Sequence, residues 1–121
     1  MQALTDKSEQ EIIAEGKKTH PRWHDDDFPA WAKSKKLVGE DAMTGLSWAN
    51  WREIVTKIQC PSLLVYADAD GDGIVKQSAV DEVLEANKNF EAVQILGAGH
   101  NIRREQFTEY MKAIRSFLFS D

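Results

Sequence analysis

The chain predicts an α/β fold, on three observations. From residue 61 onward, short apolar runs alternate with amphipathic stretches, in the order strand, loop, helix, strand, loop, helix. The first run, "SLLVYA", is uninterrupted by charge, as in a parallel strand covered on both faces. Residues 1 to 58 carry helix and turn signals instead. The expected architecture is a helical N-terminal subregion, 1–58, packed on a βαβα half-core, 59–121, with a small parallel sheet and a right-handed crossover.

Each element has its own signal. In "SEQEIIAEG", Ser8 and Glu11 stand at capping-box spacing and Gly16 marks a stop. "HPRWHDDD" is a turn-rich break. "DFPAWAKSKKLV" begins a second helix, with Asp27 as N-cap and Pro29 in the first turn. After the loop "GEDAMTG", Ser47 caps a third helix whose Trp48, Trp51, Ile54, Val55 and Ile58 share one face. The boundary falls near Cys60-Pro61. Beyond it, "KQSAVDEVLEANKNF" places Val80, Val83 and Leu84 at helical spacing, with Ser78 as its cap. "EAVQIL" is a second strand, more exposed at Gln94, and "GAGHNIRRE" a loop. The last helix, residues 105 to 119, carries Phe107, Tyr110, Met111, Ile114, Phe117 and Leu118 on one face.

Composition narrows the function classes. At 121 residues the chain suits one modest domain, and no apolar run approaches the ~20 residues that span a bilayer. The start "MQALTDKSEQEII" lacks the apolar core of a signal peptide, so a cytoplasmic protein with no membrane contact is expected. A net charge of −5 argues against nucleic acid as a partner, and Lys33, Lys35 and Lys36 read as a solvated helix face. Cys60 is the single cysteine, which excludes an internal disulfide and a cysteine-based metal cage. "GAGHNI" has only two glycines of a dinucleotide fingerprint. No cofactor is implied.

The stretch "YADADGDGIV" admits two readings. Asp68, Asp70, Asp72 and Gly73 resemble the front of a calcium-binding EF-hand loop. Position 12 of that loop should be a bidentate glutamate, yet it is Ala79, and a strand stands where the entering helix belongs. The second reading follows from topology. Parallel strands put the loops after Ala67 and Leu96 at the same sheet edge, about 4.8 Å apart. An aspartate on the first loop and His100 on the second then come within reach of each other, where open α/β sheets gather functional groups.

"IQCPSLLVYADADGDGIV", the helix that follows and "VQILGAGHNIRREQFTEYMKAIRSFL" together resemble the C-terminal part of an α/β-hydrolase. The resemblance covers about residues 58 to 119, and "PRWHDDDFPAWAKSKK" is more loosely similar to that family's helical cap. It implies an ester or related bond cleaved by a Ser-His-Asp triad. His100 would be the general base, with Gly97 and Gly99 allowing its loop to turn tightly. The acid would be Asp70, counted from Ala67 in the place of the family's strand-ending glycine, with Asp68 and then Asp72 as alternatives. Two of the three aspartates would be turn residues. Trp23 and Trp31 would line the substrate pocket if the cap resemblance holds; helix-core packing is the competing reading for all four tryptophans.

The triad's nucleophile is missing. No G-x-S-x-G elbow occurs in these residues. "GLSWA" around Ser47 lacks the second glycine and follows no strand. Cys60 and Ser62 lie at the wrong end of the first strand, and Ser78 follows the aspartate loop. The expectation is a truncated hydrolase, an incomplete α/β-hydrolase fold carrying acid and base but inactive alone. Its open sheet edge would be met by self-association or by an N-terminal-half polypeptide. The alternative is a non-catalytic binding module, acting through protein contacts or weak calcium binding at Asp68–Asp72. His20 and His24 stand one helical turn apart beside Asp25–Asp27, but Pro21 between them favours a polar turn over a zinc site.

Overall fold

The computed structural model describes residues 6–38, 42, 44 and 49–120. It is a mixed α/β structure. Among the described residues, six α-helices accompany one two-stranded parallel sheet. The chain forms two compact units, Met1–Trp48 and Ala49–Asp121.

The first unit holds α1 (Glu9–Thr19), a 3-10 turn (Asp25–Asp27) and α2 (Phe28–Leu37). The capping box that starts α1 is complete: Glu11 N donates to Ser8 Oγ at 3.2 Å, and Ser8 N donates to Glu11 Oε2 at 2.8 Å. Gly16 does not stop the helix, contrary to the sequence reading; α1 runs on to Thr19. The glycine serves packing instead. A Cβ there would lie 2.5 Å from Trp31 Cζ3 and 3.1 Å from Phe28 Cδ1, so its absence lets α2 lie close. Asp27 precedes α2 as expected, yet its side chain makes no capping bond. The 3-10 turn has already placed it in helical geometry. The side-chain cap of this segment belongs to His24, whose Nδ1 accepts from Asp26 N at 3.3 Å.

Ile12, Phe28 and Ala32 are almost wholly buried between α1 and α2. Burying Ile12 and Phe28 contributes about 1.5–3 kcal/mol each, enough to hold two short helices that propensity alone would leave frayed.

The second unit begins with α3 (Trp51–Lys57), followed by β1 (Ser62–Ala67), α4 (Gln77–Ala86), β2 (Phe90–Ile95), α5 (Ile102–Glu105) and α6 (Phe107–Phe119). Its start falls one helix earlier than the division at 58/59 read from the sequence. The reason is polar. Asn87 Nδ2 donates to Val55 O at 2.8 Å and to Ile58 O at 2.7 Å, tying the end of α3 to the end of α4. Arg52 adds two bonds to Glu82 of α4, at 2.5 and 3.1 Å. The expected cap Ser47 and the face residue Trp48 lie outside the described residues.

β1 and β2 pair in parallel, in register from Ser62 against Phe90 to Ala67 against Ile95. Alternate residues serve opposite faces. Tyr66 Oη donates to Gln77 Oε1 at the start of α4. Leu63, Val93 and Ile95, on the other face, line a cavity of about 700 Å³ with Ala113, Ser116 and Phe117 of α6. Only Ala67 in β1 and Ile95 in β2 are fully buried; the remaining positions of β1 are half-buried, not covered on both faces as expected. In α4, Val80 and Val83 form the buried stripe. Ser78 is the second residue of that helix and caps nothing; the N-cap position is Lys76.

"GAGHNIRRE" is not all loop, since its second half is α5. The face expected of α6 is only partly used. Tyr110, Met111, Ile114 and Phe117 are half-buried, whereas Phe107 and Leu118 are 60% and 62% exposed. No helix among the described residues is long and apolar enough to cross a membrane.

Candidate functional site

Two loops leave the carboxyl ends of β1 and β2, and parallel pairing brings them together. Just past the strands the bonding leaves the ladder register: Asp68 N donates to Ala98 O at 3.0 Å, across the turn that follows β2. The first loop then folds back on itself: Gly71 N donates to Asp68 O at 3.0 Å, and Asp70 N to Asp68 Oδ1 at 3.3 Å. This is the Asx-type turn that aspartate favours. At Gly71 the two loops nearly touch. A Cβ would lie 2.5 Å from Ala98 O, a backbone atom with no rotamer to move away.

The second loop turns at Gly97, the one described residue with positive φ, at 74°. Gly99 does not share that geometry, and it is buried. Three backbone N–H groups of this loop point to carboxylates rather than to a strand. Gly97 N donates to Asp68 Oδ2 at 2.7 Å, and His100 N to Asp72 Oδ1 at 2.7 Å. Gly99 N donates to the Glu105 carboxylate of α5. Gln106 Nε2 reaches Gly97 O at 3.4 Å from the far side.

The three aspartates therefore have different work. Asp68 and Asp72 hold the backbone of the His100 loop, each through a charge-assisted hydrogen bond. Asp70 is exposed, and its carboxylate takes part in no hydrogen bond or ion pair among the described residues. The His100 ring is exposed and likewise unengaged, so no bond joins it to Asp70. The structure brings the loops of His100, Asp70, Asp68 and Asp72 together at one sheet edge, and it joins His100 to Asp72 through the backbone.

Other named residues lie elsewhere. Cys60 Sγ and Ser62 Oγ are 3.8 Å apart at the opening of β1. Five residue steps of strand put them about 16 Å from the carboxyl edge. Trp23 and Trp31 belong to the first unit, where they meet edge to face with centroids 5.8 Å apart. Trp23 is buried, stacked on His20 at 4.2 Å and 5.7 Å from the Phe28 ring. That is core packing within the first unit, between α1 and α2. His20 is engaged in that stack and His24 in its cap.

Among the described residues, no group of three His, Cys, Asp or Glu side chains is arranged to hold a metal ion. The aspartate loop does not converge its carboxylates on a centre; two of them face N–H groups of another segment. The calcium alternative gains nothing from this geometry.

Glu105 and Gln106 were not singled out in the sequence. A signal existed. A glycine-containing turn that leaves a sheet carries backbone N–H groups with no strand partner, and these demand acceptors. The acidic residue six positions beyond Gly99 is within reach once α5 turns the chain back. No protein-family model, no curated protein and no solved structure matches this chain.

Proposed function

We propose that residues 59–121 are the C-terminal part of an α/β-hydrolase core that supplies the acid and general base of a Ser-His-Asp triad. The single observation that carries this reading is the closure of the two loops at the carboxyl edge of β1 and β2. His100 and three aspartates stand there together, with His100 N bonded to Asp72 at 2.7 Å. In the completed site a serine from an N-terminal-half polypeptide attacks the carbonyl of an ester-like substrate. His100 takes its proton and delivers it to the leaving group, and Asp70 orients the imidazole and stabilises its charge. Asp70 is favoured over Asp68 and Asp72 because those two carboxylates are engaged with loop backbone. A cytoplasmic location and a cap role for the first unit belong to the same proposal.

These 121 residues contain neither nucleophile elbow nor oxyanion loop, the parts on which acyl transfer most depends. The isolated chain is expected to form no adduct with a fluorophosphonate serine-hydrolase probe, read by intact mass on folded protein. Adding a polypeptide with the elbow and the preceding core strands should restore labelling and ester cleavage. His100→Ala should then reduce that activity by about 100-fold or more. Stoichiometric labelling of the chain alone, lost in His100→Ala, would mean that the nucleophile is here and the reading wrong.

A second reading, a non-catalytic module acting through protein contacts, is favoured by one observation. The sheet has two strands among the described residues, each with an unpaired edge, and Phe107, Leu118 and Phe119 nearby are exposed. Partner binding without any restored labelling is the outcome expected of that module.

A further inference from the structure

We propose that Asp68, Asp72 and Glu105 are positioning residues that clamp the His100 loop through its backbone, leaving Asp70 as the carboxylate available to the imidazole. The proposal rests on the reading of His100 as the general base.

The observation is a pattern of three bonds from three places. Asp68, at the end of β1, accepts from Gly97; Asp72, at the far side of the same loop, accepts from His100; Glu105, in α5, accepts from Gly99. A loop this glycine-rich would otherwise be free to rearrange, because glycine has the largest conformational entropy to lose. Each N–H faces a carboxylate, and charge-assisted bonds are roughly twice as strong as neutral ones. The clamp grips residues on both sides of Ala98, which is wholly buried and whose carbonyl accepts from Asp68 N. The backbone of residues 97–100 is therefore fixed from below by packing and from both sides by charge. The imidazole, which takes part in none of these bonds, stays presented at the edge.

Such an arrangement explains why a chain with one acid to place carries three aspartates in five residues. The first and third hold the base in position; the middle one faces outward. A carboxylate acting through another residue's backbone contributes to catalysis by fixing geometry, where small displacements are costly.

The test is residue-resolved amide hydrogen exchange by NMR on the full chain, together with the His100 ring cross-peak. Asp72→Ala is expected to speed exchange at the His100 amide by roughly tenfold or more and to shift the His100 Cε1–Hε1 peak. Glu105→Ala should do the same at Gly99. Asp72→Asn and Glu105→Gln keep an oxygen acceptor, and should restore most of the protection and return the ring peak toward its original position. Asp70→Asn should leave the three amides unchanged. Exchange at β1 and β2 amides should not move, which separates the clamp from general destabilisation. If an alanine variant fails to fold, the asparagine and glutamine variants against wild type still read the clamp: losing the charge should lower protection measurably at the amide each side chain holds and at no strand amide, and identical protection would overturn the proposal.

Amides at Gly97, Gly99 and His100 that are unprotected in the wild type, or unaltered in both alanine variants, would overturn the proposal. Its failure is distinct from that of the hydrolase reading, because exchange needs no nucleophile. Protection that depends on Asp72 and Glu105, in a chain that never restores fluorophosphonate labelling, would uphold the clamp and remove the use assigned to it.

Discussion

Two residues show how single atoms hold the second unit. Asn87 is a buried polar side chain, and both of its amide hydrogens are used: it donates to Val55 O and Ile58 O and accepts from Asn89 N at 2.9 Å. Asn87→Ala strips two carbonyls of a donor and is expected to cost roughly 1–3 kcal/mol, read as a lower denaturant midpoint. Gly71 is the second. Its missing Cβ would meet the Ala98 carbonyl at 2.5 Å, so Gly71→Ala should force the aspartate and histidine loops apart. The expected cost is about 1–3 kcal/mol of stability, with enhanced exchange at Asp68, whose N–H bonds that same carbonyl. An unchanged midpoint for Gly71→Ala would mean that the loops do not lie against each other.

The helices differ in what sustains them. α1 depends on its start: the Ser8–Glu11 box satisfies two N–H groups that the first turn leaves open. Ser8→Ala is expected to cost about 1 kcal/mol, measurable by thermal melting. The same box has a pH signature. Hydrogen bonds from the Ser8 backbone and then its hydroxyl hold the Glu11 carboxyl below its ordinary 4.5. A depressed carboxyl stabilises the folded state above its unfolded value and loses that contribution as pH falls through the folded one. The stability gap between wild type and Glu11→Gln should therefore be constant above pH 4.5 and close below it. α2 depends on its face: Phe28→Ala removes the largest fully buried side chain among the described residues, and should cost about 3–5 kcal/mol of the first unit's stability. α6 has no fully buried residue, and its apolar face is part cavity wall and part exposed surface.

At the scale of the molecule, a two-stranded parallel sheet is small for independent stability, and β1 carries no charge to discourage pairing along its open edge. Concentration-dependent association in sedimentation velocity is the expected result; a compact monomer across a wide concentration range would argue against an open edge in solution.

Much of this architecture was legible in the residues. Each strand and each long helix follows from a local signal: the period of the apolar positions, the Ser8–Glu11 spacing, the charge-free "SLLVYA". That two loops should meet at the carboxyl edge follows from parallel order alone, since parallel strands end together. The miscast residues share one cause. Gly16 reads as a stop because glycine commonly ends helices, but the ring of Trp31, fifteen residues away, decides what that glycine is for. The unit boundary reads as Cys60-Pro61, where the pattern changes, but Asn87 binds α3 to the segment beyond it. Spacing along the chain therefore determined the elements, their order and the edge where His100 and the aspartates gather, because those follow from local geometry and direction. Only the tertiary structure decided which aspartate holds which N–H, why Glu105 matters and where the units divide, because a hydrogen bond is set by distance in space, and a carboxylate's partner twenty-eight residues away leaves no mark on the period of its own segment.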